Sequence, residues 1–169
     1  MKVLIFGGTG FVGRNLTQEL LENGYQVYIV TRNPPKTSST IGNKVQLIQW
    51  DNISPLTSLK NIGAIDAVIN LAGESIGNRR WSESVKEEII ASRVRTTQGI
   101  VNAINDGIIQ PKVLINASAV GYYGPRGDEE ISESEKPGQD FLAQVCQPWE
   151  KEAYKVQRDS TRVVTMRLG

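Results

Sequence analysis

Short apolar stretches rich in β-branched residues recur along the chain at Lys2–Phe6, Gln26–Thr31, Val45–Gln49, Ala67–Asn70, Lys112–Ala117 and Arg162–Arg167. None alternates strictly between apolar and polar, which is the pattern of strands covered on both faces. Helical spacing appears between them. Phe11–Asn23 places Phe11, Val12, Leu16, Leu20 and Leu21 on one stripe and stops at Gly24, a helix-ending residue. Ser82–Asn105 carries a broad stripe of Val85, Ile89, Ile90, Val94, Ile100, Val101 and Ile104. Phe141–Gln157 is a third helix, which Pro148 is expected to break or restart. The polar, proline-containing connection from Asn33 to Lys44 reads as a loop. Strand and helix in repetition predict an α/β fold: a doubly wound parallel sheet with right-handed crossovers, in three αβα layers.

At 169 residues the chain suits one domain, long enough to bury a core. The net charge of +1, with no basic block, predicts neither a nucleic-acid partner nor a membrane surface. No apolar run reaches the ~20 residues of a membrane span. There is no histidine, which removes His-based triads, His metal sites and the commonest general base; no metal site is expected. The single cysteine fits a reducing compartment. With a strand beginning at Lys2, these features predict a cytoplasmic protein without a leader segment. The segment Gly124–Gly138, GPRGDEEISESEKPG, is acidic and turn-rich, and reads as a solvated surface loop or as a flap over a site. The last stretch, TRVVTMRLG, is strand-like and stops at Gly169, which reads as the front part of a longer gene product.

Chemistry is concentrated at GGTGFVG, directly between the first strand and the first helix. A helix N-terminus presents unpaired amides and a positive dipole end, which suits a phosphate. Gly7 can supply a positive φ on leaving the strand, Gly10 lets a pyrophosphate approach the backbone, and Gly13 lets the helix lie close to the sheet. The spacing is G-x-x-G-x-x-G, not the G-x-G-x-x-G of the dinucleotide fingerprint. A carboxylate ending the second strand would take the ribose 2′-hydroxyl of NAD(H). Here that strand ends with Thr31 and Arg32, and the Arg32 fork suits a 2′-phosphate, so NADP(H) is the expected cofactor; the alternative is an exposed arginine beginning a loop. Lys36 either assists or is solvated. Ligands in such sheets bind beyond the carboxyl ends of the strands. Trp50 and Asp51 would therefore lie beside the adenine, although Trp50 is equally readable as core. Asn70–Gly73 would pass the pyrophosphate and ribose, and Asn116–Gly124 would reach the nicotinamide.

These segments resemble the extended type of the short-chain dehydrogenase/reductase superfamily, with its Rossmann-like sheet. More narrowly, LAGESIGNRRW, SRVRTTQGIV, PKVLINASAVGYYG, DFLAQVCQPWE and TRVVTMRLG are similar to epimerase-like proteins catalogued as the NAD-dependent epimerase/dehydratase family or as cell-division inhibitors. The resemblance spans nearly the whole chain. It implies NADP(H) binding by Gly7, Thr9, Gly10, Phe11, Val12, Gly13, Thr31, Arg32, Leu71 and Ala72, with Gly73 in the same turn, and points also to Glu74, Glu88 and Arg93. It further implies a C-terminal substrate lobe beyond Gly169, so the chain corresponds to the domain without that lobe.

Active members of the superfamily use a serine with a Tyr-x-x-x-Lys pair, the tyrosine moving a proton and the lysine supporting it. Ser118 fits the serine, but in DFLAQVCQPWEKEA Phe141 or Leu142 stands for the tyrosine and Val145 or Cys146 for the lysine. Tyr122 of GYYG is the alternative proton donor with Ser118 assisting, given a nearby cation such as Arg79, Arg80 or Arg126; otherwise Tyr122 and Tyr123 pack the cleft wall. Cys146 reads as an apolar filler, or as a reactive thiol. Two functions stay open: an NADP(H)-dependent oxidoreductase or epimerase acting on an unidentified small molecule, and a non-catalytic NADP(H)-binding regulatory protein. The long helix 82–105 offers a surface for pairing with a second copy.

Overall fold

The computed structural model describes residues 1–41 and 44–169. Six strands form one sheet, all parallel: β1 (Lys2–Phe6), β2 (Gln26–Thr31), β3 (Gln46–Gln49), β4 (Ala67–Asn70), β5 (Val113–Ala119) and β6 (Arg162–Leu168). The spatial order is β3-β2-β1-β4-β5-β6, so the winding reverses between β1 and β4. That reversal opens a crevice at the carboxyl ends of the two strands. Register is set by pairs such as Phe6 with Val30 on one side and Phe6 with Asn70 on the other.

The helices are α1 (Phe11–Glu22), α2 (Pro34–Ile41), α3 (Glu83–Asn105) and α4 (Phe141–Ala153). On one face of the sheet Val3, Ile5, Val27 and Ile29 pack against Leu16, Leu20 and Leu21 of α1. On the other, Leu4, Phe6, Tyr28, Val68 and Leu114 meet Ile100, Val101 and Ile104 of α3. Both faces of β1 are therefore buried, which explains its continuous apolar run. Among the described residues no helix is long and apolar enough to cross a membrane, and no cluster of ligand residues could hold a metal.

The structure corrects two of the sequence expectations. The connection expected to be a loop from Asn33 to Lys44 contains α2, with Gly42 and Asn43 outside the described residues. Pro34 occupies the first helical position, where a missing N–H costs nothing. Asn33 caps the turn, its Oδ1 accepting from the Lys36 amide at 3.2 Å. Nor does Pro148 interrupt α4. The helical bond that proline cannot donate would have gone to the carbonyl of Gln144, an exposed residue. Asp140 begins this helix by accepting from the Ala143 amide at 2.9 Å.

One polar cluster sits in the apolar interior. Asn70, Thr97 and Asn116 are all fully buried. Asn70 Nδ2 donates to Asn116 Oδ1 at 2.7 Å and to Thr97 Oγ1 at 3.0 Å, while Asn70 Oδ1 accepts from the Ala72 amide at 3.2 Å. The cluster ties the end of β4 and the middle of β5 to α3 and fixes the start of the turn after β4.

Candidate functional site

A cleft of about 720 Å³ lies where β1 and β4 diverge. The glycine turn forms its floor. Gly7 has φ +79°, and a Cβ there would lie 2.6 Å from the Leu71 carbonyl carbon. A Cβ on Gly13 would meet Gly7 O at 2.3 Å, so α1 lies as close to β1 as a backbone permits. Gly10 is the N-cap of α1, with no side chain capping the first turn and no acidic residue in it. The amides of Phe11, Val12 and Gly13 are thus presented as donors, the arrangement that fits a pyrophosphate.

At the β2 side, Arg14, Arg32 and Lys36 line the cleft beside Thr31. Arg14 and Arg32 have no ion-pair partner among the described residues. Thr31 Oγ1 is 2.8 Å from Thr37 Oγ1 and accepts from the Asn33 amide at 3.2 Å, which holds the strand end in place. Arg14 escaped the sequence reading. Its signal was available: a cation in the first turns of a helix opposes the dipole, and the conflict disappears when an anion sits there.

The cleft brings together Gly7, Thr9, Gly10, Thr31, Arg32, Leu71, Ala72, Gly73 and Glu74 among the expected residues, and adds Asn33, Asn52, Ser92 and Thr96. Phe11 and Val12 contribute backbone, their side chains standing exposed. Trp50 and Asp51 do not line the cleft. Trp50 is 6 % exposed in the core, edge-to-face with Phe6 at 5.8 Å, and its indole N–H donates to Ser54 O at 2.7 Å. Asp51 accepts from the amides of Ser54 and Ile53 and from the Ser54 hydroxyl, which draws its pKa down to about 2. Because its folded pKa lies below the unfolded value, the stability it contributes is complete above ~4 and fades as pH falls toward about 2. Asp51→Ala should flatten the fall of the thermal midpoint through that window, as followed by circular dichroism.

Glu88 also stands outside the cleft, paired with Arg79 at 2.6 Å, and Arg79 reaches Glu74 at 3.8 Å. Arg93 borders the cleft through Gly73, where a Cβ would meet its Cζ at 2.8 Å. Its Nη1 donates to Glu74 O and Ile89 O at 3.0 Å each, and Nε is buried without a partner. Burial lowers the Arg93 pKa.

Toward the end of β5 the arrangement departs from expectation. Ser118 is 3 % exposed, and its hydroxyl donates to Glu150 Oε1 at 2.6 Å. Its proton is therefore engaged inside the protein. Cys146 is buried, its thiol 3.8 Å from Ala119 O, and burial pushes its pKa up, as for an apolar filler. Tyr122 is half-buried, and among the described residues its hydroxyl has no hydrogen-bond partner. The cation beside it is none of the three expected. Arg79 is held by Glu88, and Arg126 donates to Tyr123 O and Lys136 O; among the described residues the only cation over either tyrosine ring is Arg167. The guanidinium of Arg167 lies over the Tyr122 ring, 3.6 Å from its centroid.

Comparison with known proteins agrees with this geometry. The chain is 37 % identical over 172 residues to the epimerase family protein YfhF of Bacillus subtilis, covering 100 % of this chain and 54 % of that protein. It superposes on human epimerase family protein SDR39U1 (isoform 2), solved with NADPH, with a TM-score of 0.81 and 37 % identity, covering 99 % of this chain and 53 % of the other. A nucleoside-diphosphate sugar epimerase from Corynebacterium glutamicum matches with a TM-score of 0.78 and 34 % identity, over 99 % of this chain and 33 % of that one. The chain spans about half the length of the curated relatives it matches. The profile of the NAD dependent epimerase/dehydratase family matches residues 3–169. With its sheet order, glycine turn and cleft, the chain belongs to the NAD dependent epimerase/dehydratase family.

Proposed function

We propose that the cleft binds NADP(H) and that the protein to which this chain belongs is an NADP(H)-dependent oxidoreductase or epimerase of atypical mechanism. The observation that carries the reading is the joint placement of uncapped α1 amides and the unpaired Arg14 and Arg32 at one rim. The amides suit a diphosphate bridge, and the arginines suit the phosphate that distinguishes NADP from NAD. Human SDR39U1, similar over nearly all of this chain, was solved with NADPH. Bound there, the coenzyme would give or take a hydride.

The residues of this chain then have distinct parts. Leu71–Gly73, anchored through Asn70, wall the middle of the cleft. Arg93, packed behind Gly73 and bonded to the Glu74 carbonyl, would hold this wall of the cleft in place against the coenzyme. Tyr122, with its hydroxyl uncommitted, is the proton donor or acceptor toward a substrate carbonyl or hydroxyl. Ser118 is linked to this tyrosine indirectly, through Glu150 and the Arg167 guanidinium stacked on the Tyr122 ring. The absence of a Tyr-x-x-x-Lys pair, together with the committed Ser118 proton, favours a second reading: a regulatory protein that holds NADP(H) without turning it over.

One set of measurements separates the two. NADPH fluorescence titration should show binding tighter than that of NADH, and incubation with a panel of carbonyl compounds should consume NADPH. Tyr122→Phe should then lower kcat roughly hundredfold with little change in coenzyme affinity, the size expected for loss of a positioned acid. Binding without turnover of any compound supports the regulatory reading. No binding of either coenzyme overturns both.

A further inference from the structure

The Tyr122–Tyr123 turn is held from the far edge of the sheet. Arg167, near the end of β6, makes a fork on Glu150: Nε donates to Oε1 at 2.9 Å and Nη2 to Oε2 at 2.9 Å. The remaining nitrogen, Nη1, donates to Tyr123 Oη at 2.7 Å and to the Glu133 carbonyl at 3.0 Å. The flat face of the same guanidinium covers the Tyr122 ring. The two tyrosine rings pack edge-to-face at 5.3 Å. One side chain thus gathers α4, the tyrosine turn and the acidic segment after it.

That segment is fastened at other points to the same turn. The Gly138 amide donates to Tyr122 O at 2.8 Å, and Arg126 Nε donates to Tyr123 O at 3.2 Å. Its acidic side chains stay in water, as expected of a surface loop, while its backbone at Glu133 is drawn onto Arg167. Tyr122, in contrast, has no hydrogen bond through its hydroxyl to fix its ring. Its orientation depends on what lies against the ring, and the guanidinium is the charged group there. Lysine could not replace this arrangement, since an ammonium has neither the planar face nor the fork.

We propose that Arg167 is a positioning residue for Tyr122, orienting its ring by stacking while tethering the 124–138 segment to the tyrosine turn. This rests on the reading of Tyr122 as the group that meets the substrate. Glu150 is the counterpart that holds the guanidinium in plane, and hydrogen bonding to Glu150 raises the Arg167 pKa, so the cation persists at every working pH. Ser118, donating to the same carboxylate, completes a linked set running from β5 through α4 to β6.

The test compares Arg167→Lys and Arg167→Gly with the unaltered protein. In Arg167→Lys we expect the tyrosine bands of the near-ultraviolet circular dichroism spectrum to collapse. Cleavage by a Glu-specific protease within 129–135 should rise about tenfold as the segment is released. NADPH affinity should stay within about twofold, and kcat should fall at least about tenfold wherever turnover is measurable. Added methylguanidinium should restore the dichroism bands and the protection in Arg167→Gly, whereas ammonium should not. Should Arg167→Gly fail to fold, Tyr123→Phe removes a single bond to the guanidinium and should raise cleavage roughly threefold. Wild-type dichroism and cleavage rates in Arg167→Lys would overturn the proposal, as would equal rescue by ammonium. Absence of turnover in the unaltered protein would count against the reading of the site, while the dichroism and cleavage results would still decide the role of Arg167.

Discussion

Gly13→Val is expected to remove NADPH binding, with affinity falling at least roughly hundredfold, and to lower the thermal midpoint as well. The reason is local and steric. The first added carbon would lie 2.3 Å from Gly7 O, 2.7 Å from Gly8 Cα and 2.9 Å from the Gly8 carbonyl carbon, all of them backbone. No side chain can swing aside, so α1 must move off β1. Overpacking of this kind costs about 1–3 kcal/mol in stability. The larger loss is in binding, because moving α1 displaces the amides of its first turn from the position they share with the strand end. Gly10→Ala is the informative companion. Its Cβ meets only Gly7 O, at 3.4 Å, so the fold should tolerate it while a phosphate approaching the backbone would not. Fluorescence titration with thermal melting of both variants tests the idea: binding lost in both, stability lost mainly in Gly13→Val. Undiminished NADPH affinity in Gly13→Val would remove the glycine turn from the site.

Arg32→Ala should weaken NADPH by about 10- to 100-fold and leave NADH nearly unchanged. A charge-assisted hydrogen bond contributes about 1.5–3 kcal/mol, and each 1.4 kcal/mol is about tenfold in affinity. Arg32 is exposed on the rim and has no carboxylate partner among the described residues, so little protein structure is lost with it. The selectivity for NADPH over NADH should therefore collapse while the thermal midpoint holds. Salt should have less effect on the variant than on the unaltered protein, since one phosphate contact has gone. Arg14→Ala should act in the same direction. Equal losses for both coenzymes would place Arg32 against a part of the molecule that they share.

The strands were legible in the sequence because a two-sided parallel sheet leaves unbroken apolar runs, and β1, β2 and β4 fall on the predicted residues. The glycine turn is legible because the close approach of α1 to β1 depends on backbone spacing alone. The helix at Pro34–Ile41 is not, because a polar, proline-containing stretch carries no apolar stripe, while Pro34 suits the first helical position behind an asparagine cap. Trp50 was ambiguous for a different reason: an aromatic at the end of a strand can face the cleft or fold back, and here an indole bond to Ser54 turns it inward. Arg167 lay beyond reach. Its partners Tyr123 and Glu150 are 44 and 17 positions away, and only the placement of β6 beside β5 brings the three together.

The amide pair Asn70 and Asn116 with Thr97 has a consequence for how the molecule tolerates change. Aliphatic neighbours in such an interior are largely interchangeable if volume is kept. The trio is not, because sliding β4 against β5 by one position would strand amide dipoles in hydrocarbon. It favours the one alignment of the two strands in which Asn70 lies opposite Asn116. Repacking the surrounding aliphatics should cost rigidity gradually, whereas Asn116→Leu should yield a protein that collapses readily but settles into more than one arrangement.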